Sequence, residues 1–577
     1  MGSSANEFDT SNAHFANKNA SDVDPLDSSL AVNGTSTGAL QEWQPSKHEK
    51  AIFYTLSLLN LVVALDATVI VTSLNAIVED IGGTTTEAFW IGTSYLLANA
   101  VSMPLYCSIS DVIGRSICLT ASIVLFTVGT IVCSTSREVA SMLVGRTIQG
   151  VGGGGIHSLA LVILTDIVPL RWRPKWYGII LASWALGLSS GPIIGAGIAE
   201  RTTWRWIFYL MFFILGPSLL LTPYLLTLRP PQATAQEKLS RIDWIGLFIF
   251  TGSVTSFLIA ISWAGTQHAW DSASVLVPLI IGVVGTVVAI FYEMRFAKHP
   301  FLEKDLFRDT SSTVTYVAAA LQGFMLYGTL YYVPLFFISV KNYSIIDSGV
   351  ALLPNLLPFS ISGIIIGRLV TRFNSFRWAI WAGWFFSAVG TAFYTVWHVN
   401  SSKPVWVIGL FIGGTSHGAI LTAQNFATQA MCRDGSEGAA AAMYIFFRQF
   451  GIALGVGIGA TIFQNALKMK LLWSGLPANI AYEANTYIPI LHSLPDGPMK
   501  DAITDAYSFG FQIIFATWLG ISIVTLLFSV VFIRHADMNR KLATEHRLDS
   551  ERVNRHWNKE RQADEAATEL QGAVPSR

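Results

Sequence analysis

Between residues 52 and 533 the chain is a succession of long apolar stretches, most of them reaching the roughly 20 residues that cross a bilayer. In hydrocarbon every backbone N–H and C=O must find its partner inside the protein, so such stretches form helices. Only 13% of the 577 residues are charged and 52% are hydrophobic. A soluble domain carries about 25% charged residues, so the surface of this chain is not mostly in water. It reads as an integral membrane protein.

The apolar stretches divide into fourteen predicted helices, near 52–78, 89–108, 116–134, 139–167, 176–199, 205–228, 244–263, 275–294, 312–338, 348–370, 377–397, 405–428, 440–464 and 510–533. An even number puts both tails on one side. The loops on that side hold fifteen cations: Arg115; Arg171, Arg173, Lys175; Arg229, Lys238, Arg241; Arg295, Lys298, Lys304, Arg308; Arg368, Arg372, Arg377; and Arg433. The opposite short loops hold only Arg137, Arg201, Arg205, Lys341 and Lys403. Cytoplasmic loops carry the excess of Lys and Arg, so both tails are expected in the cytoplasm. Asn342 and Asn400, each opening an Asn-x-Ser sequon, then fall outside as candidate glycosylation sites. The outer loop 466–508, half apolar and broken by prolines, is expected to form short amphipathic helices on the outer face.

Residues 1–48 are rich in Ser, Asn, Asp and Gly and lack an apolar core. They read as a disordered tail without a cleavable signal peptide. Residues 536–577 are densely charged and read as a second solvated tail. Net charge is zero and pI about 7.2, which gives no reason to expect nucleic acid as a partner. Cys107, Cys118, Cys133 and Cys432 lie in or beside apolar helices with no CxxC pair, so buried thiols are expected rather than disulfides or metal ligands. No GxSxG, no metal-ligand cluster and no GxxxxGK phosphate loop appears, so neither an enzyme nor an ATP-driven pump is expected. The run "GGGG" at 152–155 belongs to an apolar helix, not to a phosphate loop.

The stretch "GIILASWALGLSSGPIIGAG", Gly178 to Gly197, concentrates the two poorest helix formers inside a membrane span. Gly187, Gly191 and Gly195 are four apart and form one ridge, where a neighbouring backbone can approach closely. Pro192 permits a kink at that ridge. A generic packing face explains the ridge as readily as a moving contact does. The full spacing of Gly178, Gly187, Gly191, Pro192, Gly195 and Ala196 resembles the fifth-helix antiporter signature of the major facilitator superfamily, and it falls on the fifth predicted span.

Other stretches resemble the same superfamily in the matching places. "LDATVIVTSLNAI" (65–77), carrying Asp66, is similar to the first-helix motif of the fourteen-helix drug:proton antiporter branch. "LVGRTIQGVGGGG" (143–155) is similar to the fourth-helix motif, with Arg146, Gln149, Gly150 and Gly152 in register. "CSISDVIGRS" (107–116) matches the loop between the second and third helices at Asp111, Gly114 and Arg115. It departs in Cys107 for the usual glycine and in Val112 and Ser116 for the usual basic residues. "GRLVTRFNSFR" (367–377) repeats the pattern between the tenth and eleventh helices at Gly367, Leu369, Arg372 and Arg377. Two related halves are what a facilitator fold requires. The resemblance covers about residues 50–535 and looks nearest to fungal exporters of toxins and drugs. It implies an all-α membrane fold of fourteen helices: a first six-helix half over 49–230, an inserted pair over 231–300 and a second half over 301–535.

An ionisable residue inside the membrane costs at least a few kcal/mol and needs a partner or a task. Asp66 lies about twelve residues, roughly 18 Å, from the outer end of its span, and Arg146 lies nearer the outer end of the fourth. Mutual neutralisation accounts for the pair; the resemblance implies proton coupling by both, with Arg146 lowering and burial raising the affinity of Asp66 for a proton. Arg146, Gly153 and His157 share a helix face with Gln149 close by, which suits a water-filled cavity. A hydrogen-bonding packing role suits His157 equally. By resemblance Gln322, His417, Gln424 and Asn425 are candidate cavity residues of the second half, with plain helix–helix hydrogen bonds as the alternative. Arg448 is expected to meet a backbone carbonyl or to reach toward the inner surface. Asp111 is expected near the start of the thirteenth helix, whose dipole attracts a carboxylate. With Gly114 and Arg115 it forms one candidate gating element, and Gly187, Gly191, Pro192 and Gly195 form another, expected to slide against a helix of the opposite half.

Three functional readings follow. The leading one is export of small, mostly apolar molecules by alternating access, driven by the proton gradient with no cofactor, at the plasma membrane or, as the alternative, the vacuolar membrane. The second is transport of a metabolite such as an amino acid or an iron chelate. The third is a sensor that transports nothing. In each the partners are a small molecule, protons and the bilayer, without an obligate protein partner.

Overall fold

Fourteen helices of 19 residues or more carry the structure, and no strand occurs among the described residues. They are α1 (Lys47–Ile81), α2 (Thr85–Ile113), α3 (Arg115–Thr135), α4 (Val139–Ile167), α5 (Arg173–Arg201), α6 (Trp206–Leu225), α7 (Trp244–Trp263), α8 (Ala273–Arg295), α9 (Thr310–Ser339), α10 (Leu353–Phe373), α11 (Arg377–Thr395), α12 (Lys403–Met431), α13 (Glu437–Trp473) and α14 (Pro498–Phe532). This is a computed structural model that describes residues 43–539, apart from 84, 227–236, 238, 239, 265, 266, 299 and 483. The two tails read from the sequence, and the loop cations Arg229 and Lys238, lie almost entirely outside the described residues. From Ser46 onward the chain forms one compact unit.

Thirteen of the long segments are apolar enough to cross a membrane; α11 falls short because Trp378, Trp381 and Trp384 lower its mean hydropathy. Local signals set several ends. Ser46 caps α1 by accepting from the Glu49 amide (3.2 Å), while the Glu49 carboxylate accepts from the Ser46 amide (2.6 Å). Gly82 stops the same helix in the left-handed region at φ 72°. Gly114 alone joins α2 to α3, at φ 120° and ψ 142°, a conformation open in practice only to glycine.

The helices repeat one packing plan. In the first half α1 packs on α5, and α2 and α3 pack on α4; in the second half α9 packs on α13, and α10 and α11 pack on α12. Each half's last helix rests on the first and third of that half. The halves meet through α5 on α10 and through α2 and α4 on α13. The inserted pair, α7 and α8, packs on itself and touches α2 and α13 through α7. The start of α9 and the end of α14 are tied together, the Ser311 hydroxyl donating to the Phe532 carbonyl at 2.6 Å. The start of α1, with Phe53 on Trp176 at 5.6 Å, and the residues after α14, with Asn539 accepting from Arg171 at 3.0 Å, both meet the segment at the start of α5 and so lie at one face, called here the tail face.

On the opposite, far face the helices run longer than their apolar cores. The loop expected over 466–508 is confined to 474–497, holding the short helices Asn479–Tyr482 and Ala484–Ser493. Helix need not stop at the edge of an apolar run, and the projecting ends of α13 and α14 are joined by Lys470 and Asp505 at 3.1 Å. Asn342 and Asn400 are both exposed at this face. Lys341 links their segments, donating to the carbonyls of Val399 (2.5 Å) and Ser401 (2.8 Å).

Candidate functional site

The first half encloses a charged network. Asp66 on α1 and Arg146 and Gln149 on α4 are all fully buried. Arg146 Nη1 donates to Asp66 Oδ2 at 2.7 Å and to Gln149 Oε1 at 2.8 Å. Gln149 Nε2 donates to Asp66 Oδ1 at 2.9 Å and to the Thr130 hydroxyl on α3 at 3.0 Å. Arg146 also gives Nε to the Ile91 carbonyl (3.1 Å) and lies over the Tyr95 ring at 4.3 Å, while Tyr95 anchors itself on the Val63 carbonyl (3.1 Å). Both oxygens of Asp66 are engaged; Arg146 Nη2 is buried without a partner. A buried pair of this kind is bought with desolvation, and removing one partner leaves a charge that the apolar surroundings cannot solvate.

Glycines make this geometry possible. On α4, Gly150 and Gly154 press against the Tyr95 and Asn99 carbonyls of α2, and Gly152 presses against the Phe126 amide of α3, where any Cβ would come within 2.4–2.5 Å. The run 152–155 is thus a helix wedged between two others, as expected.

His157 shares the α4 face but not the network. Its Nε2 accepts from Arg448 Nη2 of α13 at 3.0 Å, a contact between the two halves. Arg448 is 2% exposed and its guanidinium lies 5.3 Å from the Trp184 ring, which packs at 5.9 Å on Phe359 of α10. Arg448 therefore neither reaches the surface nor rests on a carbonyl; it is held where the halves meet. A cavity of about 10 Å³, close to the room one water needs, is lined there by Asn60, His157, Tyr177, Trp184, Leu421 and Arg448. Asn99 and Gln449 add a second bridge between halves at 3.2 Å. The sequence reading missed Asn60, Tyr177 and Trp184 as lining residues.

Apart from Arg448 at the seam and Glu437 at the start of α13, the second half is polar but neutral inside. Gln322 on α9 and Gln424 on α12 are fully buried with neither amide atom partnered, and His417 Nδ1 and Asn425 Nδ2 are likewise without partners. Asn425 Oδ1 accepts from Gln429 Nε2 at 3.0 Å, and Gln429 Oε1 accepts from Arg173 of α5 at 3.0 Å. The helix–helix hydrogen bonds that the sequence left open as an explanation are therefore not made by Gln322 or Gln424.

The ridge on α5 corrects an expectation. A Cβ at Gly187 would meet the Leu61 carbonyl at 2.6 Å, and one at Gly191 the Thr68 hydroxyl at 2.0 Å. Both partners are on α1, in the same half, because the glycine face points back into its own bundle. The face of α5 turned to the opposite half is approached by the glycines of α10: Gly363 against Leu181 and Gly367 against the Pro174 carbonyl. Pro192 lies on that opposed side too, where a Cβ at Gly349 would come within 3.8 Å of it. Gly195 lies on the glycine face in the last turns of α5.

At the tail face Arg115 gathers the loop. It pairs with Asp111, donates Nε to Asp166 (3.0 Å) and Nη1 to the Ser110 hydroxyl (2.6 Å), and sits 3.5 Å from the Cβ position of Gly438 at the start of α13. Asp111, half exposed, lines a cleft of about 410 Å³ with Arg241, Lys298, Glu303, Ala439 and Met443. Burial pushes the Glu303 carboxyl above its ordinary range against a pull from the Ser436 hydroxyl, and the charges of Asp111 and Asp305 push the same way as burial. The four cysteines are all buried, and no group of three metal-ligating side chains occurs among the described residues.

Residues 56–456 match the family model described as Major Facilitator Superfamily. The chain is 36% identical over 512 residues to the MFS transporter L2 of a Phoma species, across 88% of this chain and 85% of that one. It is 30% identical over 525 residues to the efflux pump FUS6 of Gibberella moniliformis, across 89% and 93%. It is 32% identical over 474 residues to the MFS-type efflux pump MMF1 of Mycosarcoma maydis, across 80% and 76%. Among solved structures, the proton:xylose symporter XylE matches with a TM-score of 0.54 at 13% identity, covering 87% of this chain and 99% of that one. The human organic anion transporter MFSD10 matches at 0.52 and 13%, covering 84% and 100%. At such identity these two share the fold alone.

Proposed function

Because the chain belongs to the Major Facilitator Superfamily, we propose that the Asp66–Arg146–Gln149 network handles the proton that drives it. The chain is a secondary transporter that exports small secondary metabolites or toxins, a reading supported by relatives named as efflux pumps and, in one case, as the transporter of the acurin A biosynthesis cluster. It is a multi-pass membrane protein of a transporter family.

The observation that carries proton coupling is the closed network itself. A carboxylate sealed among apolar helices has both oxygens met by Arg146 and Gln149 together. Protonating Asp66 removes the strongest acceptor of Arg146 and frees the guanidinium, so the network has two arrangements that differ by one proton. The path for the substrate runs between the halves at Trp184, His157 and Arg448, where one half meets the other. Aromatic walls and the neutral amides of Gln322, Gln424 and Asn425 suit a mostly apolar molecule with a few hydrogen-bonding groups. The loop cations support an orientation with both tails in the cytoplasm, and export from the cell puts the chain in the plasma membrane; tags on the two tails that label only after permeabilisation test the first, and fluorescence at the vacuole instead would overturn the second.

The deciding experiment is efflux of a panel of apolar dyes and toxins from cells expressing the wild type or Asp66→Asn, with and without a protonophore. Loss of efflux in both the variant and the treated cells is the expected result. Normal export by Asp66→Asn with continued block by the protonophore places coupling elsewhere.

A further inference from the structure

The inserted pair is fastened on one side only. α8 packs on α7, with Gly282 against the Phe257 backbone and the Ser256 hydroxyl on the Pro278 carbonyl at 2.8 Å. Only 17% of its membrane stretch is buried, the smallest share of any span. Between α8 and the second half lies a cleft of about 620 Å³. Its inner wall is aromatic: Phe250 on Phe446 at 5.4 Å, and Phe257 stacked on Phe450 at 5.6 Å and 19°. Its outer wall is the side of α8 that carries Val283, Val287, Ile290 and Met294.

The cleft has a length and a sign. Val283 to Met294 is about 16 Å of helix at 1.5 Å per residue, which is one leaflet of a hydrocarbon core about 30 Å thick. It opens at the tail face, where the one charged residue of its lining, Lys304, donates to the Met294 carbonyl. Arg295, Lys298 and Arg308 are exposed in the same connection, and none has an ion-pair partner among the described residues. Of the three acids in this connection, Asp305 is taken by Arg433 at 2.5 Å, Glu303 lines the neighbouring Asp111 cleft, and Asp309 is exposed beside Arg308, which leaves the four cations in excess.

We propose that this cleft binds an anionic phospholipid of the tail-side leaflet, with one acyl chain along the phenylalanine wall and the phosphate at Lys304 and its neighbouring cations. The lipid is a structural ligand: it supplies the packing that α8 lacks toward the second half. The assignment does not depend on how the protein couples protons or which molecule it exports.

The test uses the full chain in nanodiscs and a phospholipid carrying a diazirine on one acyl chain, in phosphatidylserine and phosphatidylcholine forms. The serine form is expected to label segments 250–257 and 446–450 and to be displaced by excess unlabelled phosphatidylserine but not phosphatidylcholine. Lys304→Gln lowers that labelling about fivefold, the effect of one cation at a membrane surface. Thr286→Trp, which fills the cleft from α8, abolishes it. Equal displacement by phosphatidylcholine, or full labelling in either variant, overturns the proposal. Should Thr286→Trp unfold early, Lys304→Gln still decides, because its side chain is exposed.

Discussion

In the first half, Asp66, Arg146 and Gln149 bind one another in a sealed charged core; the second half puts Met325, Leu410 and Gly413 in the corresponding places. The glycines fix this correspondence. Gly150 and Gly154 touch the carbonyls of Tyr95 and Asn99 just as Gly414 and Gly418 touch those of Asn355 and Phe359, and Gly187 touches Leu61 as Gly451 touches Ala320. Backbone packing is thus duplicated while the polar content is not. The polar residues of the second half sit elsewhere, as the unpartnered amides of Gln322 and Gln424. The difference teaches that one packing plan can carry two polar designs: a fixed network whose members satisfy one another, and donors and acceptors left without partners.

The shared plan is the easiest to break. Gly191→Leu and Gly451→Leu place a side chain where a Cβ already comes to 2.0 Å of Thr68 and 1.8 Å of the Ala320 carbonyl. Both are expected to force apart helices of one bundle and to abolish efflux with early thermal unfolding in detergent, whereas Gly197→Leu, with nothing within 4 Å of its Cβ, retains both stability and efflux. Unequal damage between the two halves would show that the glycine repeat is not a functional one.

The charged core comes next. Arg146→Leu strands Asp66 and is expected to cost about 3–5 kcal/mol, read as early thermal unfolding in detergent. Adding Asp66→Asn recovers more than half of that loss, since the stranded charge is then gone. A double variant no more stable than Arg146→Leu would mean that packing, not charge, holds the site. Asp111→Asn is smaller again: it removes one partner of Arg115, leaves folding intact and slows transport severalfold, and unaltered flux would remove the loop from the cycle. The smallest effect belongs to Gln424→Leu. Losing an unpartnered buried amide changes stability by no more than about 1 kcal/mol, while the ranking of exported compounds shifts. An unchanged ranking would take Gln424 out of the substrate path.

Much of this was legible in advance, for a physical reason. A membrane span must be apolar over a fixed length, so the fourteen helices and the buried Asp66 and Arg146 stand out against a uniform background. Contacts between distant helices leave no such local mark. That His157 meets Arg448, 291 positions away, follows from how two bundles dock, and spacing along α4 grouped His157 with Arg146 instead. The glycine repeat makes Trp184 and Arg448 equivalent positions of α5 and α13, and their approach to 5.3 Å places both near the axis that relates the halves, which spacing alone does not show. The direction of the α5 ridge was misread because four-residue spacing reveals a smooth face and not its neighbour.

α13 runs without a break from Glu437 to Trp473, 37 residues, or about 55 Å. Arg448, seated against His157 and Trp184, stands 11 positions from one end and 25 from the other. A beam pivoting at that seat has unequal arms. If it tilts there, a small displacement of the short arm at the Arg115 end becomes about twofold larger, and reversed, at the end that carries Lys470.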